Sequence, residues 1–205
     1  MHIPDGFLNL PTLIVTNGVS IGILIPAIKK INKTLSPKRI PLMGLSAAFV
    51  FTAQLLSFPV IGGTSVHIIG AVLVSILLGP FSGLIIVSSA LVLQALIFQH
   101  GGILTLGANI LNMGIIGCLV GYLIYRAFSK NIFLGSGLAA FITILLAATF
   151  CAIELGISGT VPLKTGLIAM VTAHIFAGIV ESLVTVSVLG AISKVRSDLL
   201  GLEKI

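Results

Sequence analysis

Residues 132–155 read IFLGSGLAAFITILLAATFCAIEL and contain a single charged side chain, that of Glu154. An α-helix rises about 1.5 Å per residue, so about 20 apolar residues are enough to cross the roughly 30 Å hydrocarbon layer of a bilayer. A run of this length and composition predicts a transmembrane helix.

The composition of the whole chain agrees with that prediction. Of its 205 residues, 57% are hydrophobic and 8% are charged, and the mean hydropathy is +1.25. A soluble domain averages about 25% charged residues. We therefore predict an all-α integral membrane protein that forms one transmembrane domain over residues 1–205. Charge-poor runs between loop signals predict seven spans, at 8–28, 40–58, 64–78, 81–99, 104–128, 132–155 and 165–192.

The third predicted span is short and follows the sequence PVIGGTS at residues 59–65. Its proline and paired glycines predict irregular backbone that enters the bundle from one face. Such backbone is tolerated at membrane depth only where protein buries it or a cavity hydrates it. The stretch is therefore a candidate functional site before any side chain is considered.

The positions of Lys and Arg predict the orientation, because these residues favour short cytoplasmic loops. Ten of the eleven lie at 29–39, 126–130 and 194–204, which seven spans place on one side, and only Lys164 lies on the other. We therefore predict an amino terminus outside the cell and a cytoplasmic carboxyl terminus. The formal net charge of +6 then reflects membrane orientation, and no nucleic-acid partner is expected.

The first apolar run does not resemble a secretory signal, which carries basic residues ahead of its apolar segment. Nothing basic precedes Lys29. Methionine is normally trimmed only before small residues, so we expect Met1 to remain and to carry the free amine. The two cysteines, Cys118 and Cys151, fall in predicted spans and are expected to act as small packing residues.

Three of the four histidines are predicted to lie near the outer face. His2 precedes span one, His67 lies near the outer end of span three, and His100 follows span four, while His174 lies nearer the midplane of span seven. Intramembrane polar groups usually face a bundle interior or a cavity. Alternatively, polar residues in the outer half satisfy broken backbone and cap helix ends; these residues are Thr64, Ser65, Gln94, Asn109 and Asn112.

The first two residues carry the donors of a chelating metal site. The α-amine, the main-chain nitrogen of His2 and its imidazole can close two fused rings around one ion. Three nitrogens in a plane suit nickel(II) or copper(II), which accept square-planar ligation, and leave one corner open. A neutral imidazole would fill that corner, and His67 is the best placed.

The residues after His2 predict a chain that folds back into the bundle. Pro4 disfavours a helical Ile3, and the sequence IPDG at 3–6 has the residue order of a tight turn. Asp5 is then either a turn residue or a carboxylate that holds an imidazole N–H.

Three stretches together resemble the NikM/CbiM family, the substrate-binding S components of energy-coupling-factor (ECF) transporters for nickel and cobalt. They are MHIPDGFL at 1–8, GGTSVHIIG at 62–70 and QHGGILTLGANILNMGIIG at 99–117. The resemblance covers essentially the whole chain and implies a multi-pass protein of a prokaryotic cell membrane. It also implies that the metal ligands are the amine and backbone of Met1 and His2, the His2 imidazole, and His67.

The same resemblance implies roles for residues around these ligands. His100 and Asn109 would lie near the ion or on its access path. From the residues themselves, we expect Asp5 and Ser65 to lie near it as well. Val66 departs from the small residues expected at this position in cobalt members, and we take it to favour nickel. Cobalt(II) is the second choice, since it promotes amide deprotonation less readily.

The chain is not predicted to be an enzyme, because the phosphate-binding motif G-x-x-x-x-G-K-[ST] does not occur in it. No cofactor is expected, and the metal ion is the transported substrate. The resemblance implies two ATPase subunits, a transmembrane coupling (T) subunit and often a small accessory membrane protein as partners in the bilayer.

Two alternatives remain open on the residues alone. An intramembrane hydrolase would use Ser65 and His174, with Glu181 on the same helix face as His174. However, Val66 follows the serine, and HIFAGIVE at 174–181 is not H-E-x-x-H. His174 and Glu181 are then a structural polar pair or part of a conformational gate. An S component for an organic vitamin would need aromatic stacking surface, yet the chain has no Trp, and its two tyrosines lie near the predicted cytoplasmic side.

Overall fold

The computed structural model of the chain describes residues 1–37, 39–60, 64–128 and 130–204 and is mostly helical. A π-helical stretch, Ile110–Val120, joins the α-helices Leu106–Asn109 and Gly121–Ala127, so that 106–127 is one continuous helical run. A 3-10 helix, Ser197–Lys204, ends the described chain. The α-helices are α1 Leu10–Thr34, α2 Arg39–Leu55, α3 Ala71–Leu78, α4 Pro80–Phe98, α5 Leu106–Asn109, α6 Gly121–Ala127, α7 Ile132–Ile157 and α8 Leu163–Val195.

The prediction of a helical membrane bundle is confirmed. Among the described residues, five helical runs are long and apolar enough to cross a membrane: Leu10–Thr34, Pro80–Phe98, Leu106–Ala127, Ile132–Ile157 and Leu163–Val195. The apolar helix α2 is shorter, with 17 residues. The count of seven spans and the orientation of the termini stay predictions.

The stretch expected to form the third span differs from its prediction. The structure has two short antiparallel strands, β1 Phe58–Val60 and β2 Thr64–Val66, where an all-α fold was expected. The helix begins only at Ala71, and its eight residues span about 12 Å, less than the hydrocarbon layer. Gly62 and Gly63 of the predicted irregular segment lie outside the described residues, as does Lys38 of the first loop.

The centre and the outer faces of the bundle differ in exposure. α4 packs against α1, α2, α3 and the π-helical stretch, and the side chains of α3 are almost all buried. By contrast, α2 and α8 expose large apolar side chains, such as Leu45 at 71% and Phe176 at 72%. Apolar surface of this kind is rare in soluble monomers and fits contact with lipid.

Three segments without regular secondary structure meet at one end of the bundle. They are residues 1–8, 67–70 and 99–105. The first contacts the second through Met1 and His67 and contacts the third through Ile3 and Gly102. The segments that carry the predicted ligands are therefore neighbours in space, although almost 100 residues of chain separate the first from the third.

Candidate metal centre

The amino-terminal segment enters the interior of the bundle. Met1 and Ile3 have no exposed surface, and His2 is 5% exposed. An amino terminus normally remains in water, because its charge is costly to bury. Its burial here requires specific partners for its polar groups.

Asn109, at the end of α5, binds the main chain of Ile3 through both the oxygen and the nitrogen of its side-chain amide. The Ile3 N–H donates to Asn109 Oδ1 over 2.8 Å, and Asn109 Nδ2 donates to the Ile3 carbonyl over 3.1 Å. The same carbonyl accepts from the Thr105 hydroxyl at 2.6 Å and from the Gly102 N–H at 2.9 Å. Asn109 thus fixes the residue that follows His2.

Asp5 attaches the turn to the loop that precedes α5. Its carboxylate accepts from the N–H groups of Ile103, Leu104 and Thr105 at 3.0, 2.8 and 3.2 Å. These are main-chain donors at the start of a helical run, where a carboxylate is favoured. Of the two roles considered for Asp5, these contacts agree with the turn residue rather than the holder of an imidazole.

Gly102 lies so close to Asp5 that a side chain does not fit. A Cβ added there would overlap both the Asp5 carboxylate and its main-chain nitrogen. We expect Gly102→Ala to lower the free energy of unfolding by about 1–3 kcal/mol, as overpacking commonly does. Thermal unfolding of the detergent-solubilised protein measures this loss.

Gly44→Ala is the matched control for that substitution. Gly44 lies inside α2, and a Cβ added there meets nothing within 4 Å. This variant is expected to be at least as stable as the native chain, since Ala favours helix. Equal melting temperatures for the two variants would contradict the assigned contact between Gly102 and Asp5.

His67 follows β2, is 4% exposed and lies next to the amine of Met1. Its Nε2 is 3.4 Å from the Met1 nitrogen, and its Nδ1 is 3.0 Å from the carbonyl oxygen of Ile68. The amine also donates to the Ser65 carbonyl and lies 3.3 Å from the Ser65 hydroxyl. Because a neutral imidazole with its proton on Nδ1 has its lone pair on Nε2, His67 directs a lone pair towards the amine.

His2 lies between the other two histidines of the cluster. Its ring centroid is 4.5 Å from that of His67 and 4.0 Å from that of His100, whereas the rings of His67 and His100 are 6.5 Å apart. The structure therefore brings together the three histidines predicted to share one end of the bundle. His174 lies within α8, where its Nδ1 is 2.7 Å from the Met170 carbonyl oxygen.

Gln94 of α4 determines which nitrogen of His2 carries the proton. Its Nε2 donates to the Phe51 carbonyl at 3.3 Å, so its Oε1 faces His2 Nε2 at 2.9 Å. With the proton on Nε2, the lone pair of His2 lies on Nδ1, the nitrogen nearer its own backbone. In the sequence, Gln94 is one of several polar residues in the predicted outer half, and this role was not predicted from it; the position of a polar residue within an apolar span is the signal that marks it.

Burial favours the neutral forms of the Met1 amine and of two of the neighbouring imidazoles. It lowers the pKa of the Met1 amine to about 5 and lowers the pKa values of His2 and His100, because a charged form loses its hydration. A neutral amine or imidazole has the lone pair that a metal ion requires.

Side chains alone do not form a metal site in this cluster. Within the described ranges, no group of three His, Cys, Asp or Glu side chains is arranged to hold an ion. A metal centre here would have to include the amine and the main-chain nitrogen of His2. That donor set is the one predicted from the first two residues.

The contacts expected of a hydrolase are missing from the part of the chain that the structure describes. Ser65 Oγ lies against the Met1 amine and is not hydrogen-bonded to the His174 imidazole, whose Nδ1 is 2.7 Å from the Met170 carbonyl oxygen. His174 and Glu181 do not form a polar pair either, since the Glu181 carboxylate accepts from the N–H groups of Ile69 and Gly70.

Comparison with known proteins shows the family of this chain. Residues 2–199 match the CbiM family, described as the cobalt uptake substrate-specific transmembrane region. The chain belongs to this family. The match confirms the resemblance inferred from the three sequence stretches.

Relatives of this CbiM-family chain include transport proteins for both metals. A putative fused nickel transport protein NikMN of Archaeoglobus fulgidus is 40% identical over 98% of this chain and 68% of its own length. A cobalt transport protein CbiM of Geobacter sulfurreducens is 35% identical over 98% of this chain and 61% of its own length. The chain thus spans about two thirds of the length of these two relatives.

A solved structure of a truncated transition metal transporter has the same fold. It is 38% identical in sequence and superimposes with a TM-score of 0.90, covering 95% of this chain and 99% of that chain. Together with the family match, this similarity identifies a nickel/cobalt membrane transport subunit and a multi-pass prokaryotic membrane protein. The hydrolase alternative is not favoured.

Proposed function

We propose that this chain is the substrate-binding S component of an ECF-type ABC importer and that it binds nickel(II), with cobalt(II) the second choice. The proposed ligands are the Met1 amine, the main-chain nitrogen of His2, His2 Nδ1 and His67 Nε2. One observation carries the proposal, namely the separation of 3.4 Å between the buried Met1 nitrogen and His67 Nε2.

This separation fits two ligands of one ion. Nitrogens that are each about 2 Å from a metal lie no more than about 4 Å apart. A metal-bound amine also keeps N–H groups, which can donate to the Ser65 carbonyl as the Met1 amine does in the structure. The same partners therefore suit the amine with and without an ion.

The tautomers of the two histidines support a planar nitrogen site. Gln94 directs the lone pair of His2 to Nδ1, which can close a chelate ring with the main-chain nitrogen of the same residue. The Ile68 carbonyl leaves the lone pair of His67 on Nε2. Four nitrogens of this kind favour nickel(II), while zinc(II) prefers a tetrahedron.

Residues around the proposed ligands have supporting roles. His100 Nε2 is buried without a hydrogen-bond partner among the described residues, and its ring lies 4.0 Å from that of His2. We assign His100 to the access path of the ion. Asn109 and Asp5 hold the terminal segment in place, and Ser65 accepts the amine N–H.

Uptake would take its energy from other subunits. In this proposal the site faces outward, the chain assembles with two ATPase subunits, a transmembrane T subunit and a small accessory membrane protein, and ATP hydrolysis moves the bundle. Release then requires that His67 or the amino-terminal segment move away from the ion. Equal release rates from the isolated S component and from the ATP-driven complex would contradict this step.

Metal titration of the purified, detergent-solubilised chain tests the proposal. We expect nickel(II) to bind near one equivalent with the absorption of a square-planar nitrogen complex, cobalt(II) to bind more weakly, and zinc(II) to bind weakest. Equilibrium titration and absorption spectra measure affinity and geometry in the same sample. An absence of binding, or an octahedral nickel spectrum, would contradict the proposed ligands.

A further inference from the structure

The segment that carries His67 depends on side chains from distant helices. Residues 67–70 have no regular secondary structure, so their buried main-chain groups need other partners. The Ile69 N–H donates to Glu181 Oε2 and the Gly70 N–H donates to Glu181 Oε1, each over 2.7 Å. Gln54 Nε2 of α2 donates to the Ile69 carbonyl over 3.0 Å.

The Glu181 carboxylate is well suited to this task. It is 3% exposed and binds two adjacent N–H groups with its two oxygens. These groups lie at the start of α3, where Gly70 supplies no side-chain cap and has a left-handed φ of 74°. A carboxyl group has acceptor sites on two oxygens, and both are used here.

These hydrogen bonds are made next to the carbonyl group that binds the imidazole of His67. The carbonyl of Ile68 holds His67 Nδ1, and the next residue, Ile69, is fixed at its N–H by Glu181 and at its carbonyl by Gln54. A displacement of Glu181 would therefore be transmitted to the Ile68 carbonyl. The orientation and tautomer of His67 depend on that carbonyl.

We propose that Glu181 is the positioning residue for His67. Through the main chain of Ile69 and Gly70, α8 then determines where His67 Nε2, the fourth nitrogen ligand, lies. The inference rests on the proposed function, since it assigns His67 as a ligand. Glu181 touches neither the ion nor its ligands, and it acts through the backbone. A movement of α8 relative to α2 would withdraw His67 from the plane.

Glu181→Gln in the full, detergent-solubilised chain tests this inference. Glutamine offers one acceptor oxygen and one NH2 donor, so one of the two N–H groups would face another donor. We expect nickel affinity to fall by about 10- to 100-fold, the usual cost of losing a group that orients a ligand, through faster dissociation. The absorption band of planar nickel should also shift, which a loss of stability alone would not produce.

Glu154→Gln is the matched control. Glu154 is also a buried carboxylate in a long helix, 6% exposed, but it accepts from Asn112 Nδ2 over 2.7 Å. This variant should bind nickel like the native chain. Glu181→Asp, which keeps the carboxyl group but has a shorter side chain, should give an intermediate affinity and replaces Glu181→Gln if that variant does not fold.

The outcomes separate the two proposals. If the native chain binds nickel and the Glu181 variants bind it equally well, the positioning role is overturned and the proposed function stands. Equal losses in the Glu181 and Glu154 variants would also overturn it, because any buried carboxylate would then have the same effect. If the native chain binds no metal, the proposed function itself fails.

Discussion

Two glycines added ahead of Met1 are expected to abolish tight nickel binding. The extension converts the Met1 amine into an amide and moves the histidine to the fourth position, where its imidazole and one main-chain nitrogen no longer close two fused rings with the terminal amine. A single added residue is avoided, because an amine followed by histidine at the third position is itself a planar nitrogen chelate for nickel(II). The extension also requires space beside Ser65 and His67 for residues whose neighbour, Met1, has no exposed surface. Nickel titration and the absorption spectrum of the extended chain measure the loss.

The same two glycines added after Ile205 are the matched control. They change the length and composition of the chain equally but leave the amine of Met1 intact. This control is expected to bind nickel with the native affinity and spectrum. Native affinity in the chain extended at Met1 would contradict the role of the amine.

His67→Ala is expected to cause the second large loss of affinity. It removes one of four nitrogen ligands and leaves one coordination position of the square plane without a protein ligand. The loss should exceed the roughly 10- to 100-fold typical of groups that only orient a ligand. Equilibrium titration measures the affinity, and the nickel absorption band reports whether the fourth nitrogen has been lost.

His100→Ala is the control variant for His67→Ala. His100 belongs to the same histidine cluster, but its ring is 6.5 Å from that of His67. If it lies on the access path, its removal should slow association and have a smaller effect on equilibrium affinity than His67→Ala. Equal losses of affinity in the two variants would contradict the division into ligand and access group.

The distribution of charge and apolar residues predicted much of the fold. Runs such as 132–155 and 165–192 predicted helices that the structure has at Ile132–Ile157 and Leu163–Val195. The lysines at 29, 30 and 33 ended the first predicted span at residue 28, whereas α1 continues to Thr34. An apolar run marks the part of a helix that suits hydrocarbon, and a helix can extend beyond it into water.

The neighbours of the candidate ligands were harder to predict than the ligands themselves. His2 and His67 stand out as the chemistry-bearing residues of charge-poor segments. Gln94 and Glu181, by contrast, lie on helices about 90 and 110 residues from the groups that they bind, and their roles arise from contacts at 2.9 and 2.7 Å. No local pattern in the chain predicts such a contact.

The sequence by itself determined that this protein is a helical membrane protein, and it predicted metal donors at the amino terminus, because composition and local donor spacing are properties of short segments. Only the tertiary structure decided which partners form hydrogen bonds with the main-chain groups of the irregular segments. Backbone at 67–70 remains non-helical because Gln54 and Glu181 supply the hydrogen bonds that a helix would otherwise provide. The Met1 amine lies beside His67 for the same kind of reason, since Ile3 and Asp5 of the terminal segment are hydrogen-bonded to Asn109 and to the Leu104 N–H, each about 100 residues away in sequence.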